Sequence, residues 1–201
     1  MSTAQTLLAK YPLVSDQVNQ RQLEVILTEL EKCLSLNGAI VEFGCYIGTT
    51  SLFIRRLLDL RNDSREFHVY DSFEGLPAKT DQDESVAGDQ FQAGELAVSK
   101  KQFLNEFRKA NMRPPIIHKG WFSDLTATDV PGKIAFAFLD GDFYESIRDS
   151  LKLALPRMVA GAVIIVDDYG REALPGVTKA VYDLLPRTVI KTQENLGIIR
   201  F

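Results

Sequence analysis

The sequence predicts an α/β fold: a seven-stranded, mostly parallel sheet with one antiparallel strand and helices on both faces. Three observations carry this. Short apolar runs alternate with amphipathic helical stretches along most of the chain. A turn holding Gly44 and Gly48 follows the first strand. The chain closes on two short strand-like runs joined by a polar stretch that includes Gln193, Glu194 and Asn195, a hairpin that sets one strand antiparallel.

Each element follows from its pattern. Residues 16–36 place Leu23, Ile26, Leu27, Leu30, Cys33 and Leu34 on one face of a helix, and Asn37-Gly38 ends it. Residues 39–43 form an apolar run that reads as a buried strand. Residues 48–60 are the next helix, 67–70 the second strand and 116–118 the third. Residues 134–139 (IAFAFL) are the fourth strand. Residues 143–155 carry Tyr144, Ile147 and Leu151 at helical spacing and stop at Pro156. Residues 162–166 (AVIIV) are the fifth strand, 172–184 a further helix, and 188–191 with 196–201 the closing pair. Residues 72–97, rich in Asp, Glu, Gln and Gly, form one long irregular stretch. A loop of that length is either a lid over a site or an inert insertion, and the lid is the expectation here.

Length and composition bound the rest. A chain of 201 residues, 45% hydrophobic and 25% charged, suits one globular domain over residues 1–201. It has no apolar run near the ~18 residues of a membrane span and no visible signal peptide. A net charge of −4 offers no electrostatic footprint for nucleic acid. Two cysteines, Cys33 and Cys45, make neither a disulfide framework nor a zinc site, which points to a reducing, cytoplasmic setting.

The first loop runs Glu42-Phe43-Gly44-Cys45-Tyr46-Ile47-Gly48-Thr49-Thr50-Ser51. In doubly wound folds ligands bind at the carboxyl ends of strands, beside this turn. A dinucleotide site needs a bare glycine where Tyr46 stands, because the pyrophosphate must approach the backbone. A nicotinamide enzyme is therefore disfavoured. The spacing acid-x-Gly-x-x-x-Gly instead resembles the first motif of class I S-adenosyl-L-methionine (SAM) methyltransferases. SAM has no phosphate, and its carboxylate suits a helix N-terminus, where Thr49, Thr50 and Ser51 add hydroxyls. Glu42 is a candidate partner for its ammonium. Asp71, about 20 residues past Gly48, ends the second strand, where a carboxylate with two acceptor oxygens suits both ribose hydroxyls; Ser72 adjoins it. The third strand ends in His118-Lys119-Gly120-Trp121. Two roles fit Trp121, stacking on an adenine ring or packing in the core. For His118 a structural role outweighs that of a base.

Strand four ends Leu139-Asp140-Gly141-Asp142 and strand five Val166-Asp167-Asp168. Neighbouring strands lie about 4.8 Å apart, so Asp140, Asp167 and Asp168 share one cleft. Such carboxylates repel, and they either take up protons or bind a cation. Oxygen ligands alone suit Mg²⁺. Bound Mg²⁺ would lower the pKa of an acceptor hydroxyl and fix its direction. Asp142 is the first candidate for a base, by reach, and Asp140 the second; a metal-ionised hydroxyl needs neither. Solvated helix caps are the plainer alternative for these acids.

Taken together, VEFGCYIGTTS, VYDSFEGLP, KGWF, FLDGDFYESI and IIVDDYG resemble the macrocin-type O-methyltransferases over about residues 38–185. The resemblance implies SAM- and Mg²⁺-dependent methylation of a sugar hydroxyl on a small natural product. It implies Mg²⁺ ligands at Asp140, Asp167 and Asp168, and cofactor contacts in the first loop and at Asp71. The first loop also resembles catechol O-methyltransferases, but Phe143 stands where their catalytic lysine would be. Two further expectations stand beside this: a homodimer through the 16–36 helix, and, as a rival of another class, a non-catalytic SAM-binding or dimerising module.

Overall fold

The computed structural model describes residues 1–86 and 90–201. Residues 87–89, inside the expected lid, lie outside the described residues. The parallel strands are β1 (Ala39–Phe43), β2 (Phe67–Asp71), β3 (Ile116–Lys119), β4 (Ile134–Leu139) and β5 (Met158–Val166). The chain ends in β6 (Lys191–Gln193) and β7 (Leu196–Arg200). Sheet order is β3-β2-β1-β4-β5-β7-β6. Only β7 runs antiparallel to its neighbours, pairing Ile165 with Ile198 on one side and Thr192 with Gly197 on the other. The predicted fold class is thus the observed one.

Helices α1 (Thr3–Lys10), α2 (Gln20–Cys33), α3 (Thr49–Leu60) and α4 (Lys100–Lys109) contribute the core on one face of the sheet, and α5 (Tyr144–Ala154) and α6 (Pro175–Leu184) on the other. β1 and β4 are buried along their whole length. This is why they read as unbroken apolar runs rather than alternations. Each large side chain so buried contributes about 1.5–3 kcal/mol.

Boundaries shift where local chemistry decides them. The 16–36 helix begins only at Gln20, because Asn19 caps it: its side chain accepts from the amides of Arg21 and Gln22, and Gln22 reaches back to the Asn19 amide. The 172–184 helix begins at Pro175, whose fixed φ suits a first helical position. β5 starts four residues before the expected 162, with an irregular register against β4 and Gly161 at φ +85°. Two helices are additional to the sequence expectation. α1 carries a capping box on Ser2 and Gln5. α4 buries only Phe103 and Phe107, too narrow a stripe for periodicity to stand out. Its Ser99–Gln102 capping box is the signal that would have found it.

The irregular stretch 72–97 holds, among its described residues, one 3-10 turn at Asp81–Asp83. It folds back on itself through Leu76 N to Glu95 O (2.8 Å) and Gly94 N to Leu76 O (2.9 Å).

Candidate active site

A cleft of about 950 Å³, counted to its open mouth, lies at the carboxyl ends of β1, β2, β4 and β5. This is where ligands bind in open α/β sheets. Each of these four strand ends carries one non-glycine residue in the left-handed backbone region: Tyr46 (φ 47°), Phe73 (φ 56°), Asp142 (φ 59°) and Asp168 (φ 52°). Such conformations cost free energy and cluster at working sites.

The β1 wall is built by Gly44 and Asp71. Gly44 has φ +85°, and a Cβ there would lie 1.8 Å from the Asp140 carbonyl oxygen, so only glycine lets the β1 and β4 ends meet. Asp71 braces the turn. Its Oδ2 accepts from the amides of Cys45 (2.8 Å) and Tyr46 (3.3 Å), and its Oδ1 from the amide of Phe73 (2.6 Å). This residue was expected at the ribose. It does line the cleft, and it also holds the first loop in shape.

The opposite wall is acidic. Asp140, Asp142, Asp167 and Asp168 all line the cleft. Enclosure pushes the Asp140 carboxyl well above its ordinary range, and the charges of Asp167, Asp142 and Asp168 push the same way. Enclosure and then Asp168 raise Asp142 to about 7 and Asp167 to about 8. Few donors offset this. Gln22 Nε2 (3.2 Å) and the Asp168 amide (2.9 Å) donate to Asp167 Oδ1. Arg171 donates from Nη1 to Asp168 Oδ1 at 2.8 Å, and its guanidinium lies 5.8 Å from the Phe91 ring.

Among the described residues, no group of three or more His, Cys, Asp or Glu side chains is arranged so that it could hold a metal ion. The donor chemistry nonetheless fits a hard ion. All four acids offer oxygen and share one cleft, and Asp140, Asp142 and Asp167 resist ionising there. Among the described lining residues Cys45 is the one cysteine and there is no histidine, so the ligand set of a Cys/His zinc site is lacking.

Of the expected cofactor residues, Gly44, Tyr46, Asp71, Ser72, Trp121 and Asp140 line the cleft. Glu42, Gly48, Thr49, Thr50, Ser51 and Gly120 are not on its wall. Glu42 is fully buried, and Ser51 Oγ donates to its Oε2 at 2.5 Å while Oε1 has no partner. Burial raises its pKa to about 8. Thr49 bonds Ser15 through their hydroxyls at 2.8 Å, and Gly48 caps α3 with φ 96°. Trp121 faces the cleft rather than the core. His118 lies in a ring stack, 4.4 Å from Tyr70, with Nε2 3.0 Å from His68 Nδ1. Phe143, 1% exposed, is core. Pattern reading passed over Gln22, which only the fold brings to the acids, and Arg171, which sits three residues after Asp168 just outside the motif.

The sheet order, the antiparallel β7 and the cleft at the parallel strand ends define a Rossmann-like, class I methyltransferase fold. The family model described as Macrocin-O-methyltransferase (TylF) matches residues 11–197, and the chain belongs to that family. It is 34% identical over 152 residues to the 8-demethyl-8-(2,3-dimethoxy-alpha-L-rhamnosyl)-tetracenomycin-C 4'-O-methyltransferase of Streptomyces olivaceus, covering 73% of this chain and 57% of that protein. It is 32% identical over 161 residues to the demethyldecarbamoylnovobiocin O-methyltransferase of Streptomyces niveus, covering 74% and 60%. The chain thus spans about three-fifths of the length of these two curated relatives. The solved structure of the O-methyltransferase NovP superposes with a TM-score of 0.80 at 26% identity, covering 91% of this chain and 80% of that one. No helix among the described residues is long and apolar enough to cross a membrane.

Proposed function

We propose that the chain is a SAM-dependent O-methyltransferase that methylates a sugar hydroxyl of a glycosylated natural product, with Mg²⁺ held by Asp140, Asp167 and Asp168. One observation carries this reading. A single open cleft joins the Asp71-braced first loop to four carboxylates on the facing strand ends. The relatives support the acceptor class, since one is named for a rhamnosyl tetracenomycin and another for a demethyldecarbamoylnovobiocin.

Bound SAM supplies an electrophilic methyl group, and bound Mg²⁺ supplies charge that acidifies an acceptor hydroxyl. The chain does the remainder. Gly44, Tyr46, Asp71, Ser72 and Trp121 hold the cofactor side of the cleft. Asp142 would take the proton of an acceptor hydroxyl, while bound SAM would supply the methyl group. Leu76, Phe91 and Leu96 of the 72–97 loop line the acceptor side with apolar surface. Alignment of acceptor and methyl group supplies much of the remaining acceleration.

The catechol alternative is weakened because buried Phe143 stands at the position of that family's base. A non-catalytic module is disfavoured by the open space beside the acids. The test is methyl transfer from labelled SAM to glycosylated acceptors bearing free sugar hydroxyls, with and without EDTA. Turnover that EDTA abolishes and Mg²⁺ restores is the expected result. Failure to bind S-adenosylhomocysteine at hundreds of micromolar would overturn the cofactor assignment, and EDTA-insensitive turnover the metal.

A further inference from the structure

We propose that Asp83, in the 72–97 loop, is a positioning residue that clamps this lid onto the starts of α5 and α6, so that seating the lid and placing the acids are one equilibrium. The inference rests on the methyltransferase reading of the cleft.

Asp83 is an acid in an irregular segment, yet only 2% exposed. A buried carboxylate must find donors, and its two oxygens find them in different places. Oδ2 accepts from the amide (3.0 Å) and hydroxyl (2.8 Å) of Thr80, closing the local 3-10 turn. Oδ1 accepts from the amide of Tyr144 at 2.7 Å, 61 residues further along the chain.

Tyr144 is the first residue of α5, and Phe143 before it has no capping side chain. The lid therefore supplies the missing cap from outside the helix, with the sign of charge that a helix N-terminus favours. The same oxygen abuts α6. A Cβ on Gly176, the second residue of α6, would lie 2.0 Å from Asp83 Oδ1. α6 also has no side-chain cap of its own. Ser85 adds a second tie, its hydroxyl donating to the Ala173 carbonyl at 2.9 Å.

The two clamped helices are those that leave the acid loops. Tyr144 follows Asp140-Gly141-Asp142-Phe143 directly, and Pro175 follows the segment that carries Asp167, Asp168 and Arg171. Asp142 and Asp168 sit in left-handed backbone, a conformation that persists only where the surroundings enforce it. Fixing the helix starts enforces it from one end, while the strand ends enforce it from the other. A ligand that seats the lid is thereby coupled to acid placement, and the coupling is reciprocal.

The test uses the full chain, with Asp83→Ala and the milder Asp83→Asn. Amide exchange by mass spectrometry follows three peptides: the lid around 76–86, the start of α5, and β1. S-adenosylhomocysteine binding is read from Trp121, the one tryptophan, which lines the cleft. Asp83→Ala should speed exchange about tenfold in the lid and the α5 start together, leave β1 unchanged, and weaken binding by a similar factor. Asp83→Asn, which keeps an acceptor oxygen, should fall between. Faster exchange at α5 alone, or in both peptides with binding unchanged, would overturn the clamp and leave Asp83 a simple helix cap. A wild-type chain that binds no S-adenosylhomocysteine would overturn the cofactor assignment instead, and the paired exchange would still decide the clamp.

Discussion

The two walls of the cleft carry the same chemical group at equivalent strand ends, and the protein treats them in opposite ways. At the end of β2, Asp71 receives three backbone amides. At the ends of β4 and β5, four aspartates have no comparable supply of donors, and Asp140, Asp142 and Asp167 are pushed upward in pKa by enclosure and by each other. A carboxylate saturated by amides serves as a structural brace. Carboxylates crowded with few donors are held ready for protons or for a cation. The position of an acid at a strand end therefore does not define its role; the donors around it do.

The largest effect expected from breaking this contrast is on the acidic wall. Asp142→Asn should lower methyl transfer by about 10²–10⁴-fold while binding S-adenosylhomocysteine within a few-fold of wild type. Parallel loss of both would show that Asp142 shapes the cleft instead. On the braced wall the order should reverse. Asp71→Ala strands three amides and should cost about 3 kcal/mol of stability, read by urea unfolding, together with cofactor binding. Unchanged stability would mean that the loop holds its shape without the brace.

The pH behaviour sharpens the comparison. Asp142 and Asp167 keep their protons in the metal-free fold up to about 7 and about 8, whereas unfolded aspartates release theirs near pH 4. The folded state binds more protons over that window, so its stability falls as pH rises through it. Mg²⁺ must displace those protons. Its stabilisation should therefore grow from about pH 6 to about pH 8.5, reaching about 2 kcal/mol at saturating ion. Thermal melts with Mg²⁺ and with EDTA test this, and a pH-independent difference would count against the site.

The smallest effect belongs to Glu42, behind the turn. Its pKa of about 8 also exceeds the unfolded value, so it too destabilises the fold progressively as pH rises from about 4 toward 8. Glu42→Gln should match wild type at low pH and exceed it by about 1 kcal/mol near pH 8. Parallel pH profiles would show that the carboxyl is ionised and partnered in solution.

Strands β1 and β4 were legible because burial on both faces writes them as apolar runs, and 39–43 and 134–139 coincide with them; the 188–191 run was not, since β6 is the exposed Lys191–Gln193. Helix α4 was not legible, because a helix resting on two phenylalanines leaves a weak periodic trace. In the site, Gly44, Asp71 and the acid pairs could be placed from motif spacing, while for Trp121 the sequence left cleft and core open and the fold put it on the cleft wall. Glu42, Thr49, Thr50 and Ser51 could not, since the same spacing does not say which side chains turn into the cleft and which into the core. Gln22 and Asp83 stand far in the chain from the residues they serve, and no local pattern marks them; Arg171 directly follows the second acid pair, and its i,i+3 contact with Asp168 could have been read locally.

The sequence by itself determined the fold class, the first loop and the four acids that define the cleft, because alternation of burial, glycine-dependent turns and strand-end residues are local properties of the chain. Tertiary structure alone decided the electrostatic state of those acids, the brace on Asp71 and the clamp at Asp83. Those depend on which amides and charges arrive from distant segments, and free energies of burial and hydrogen bonding are set only once the chain has closed around them.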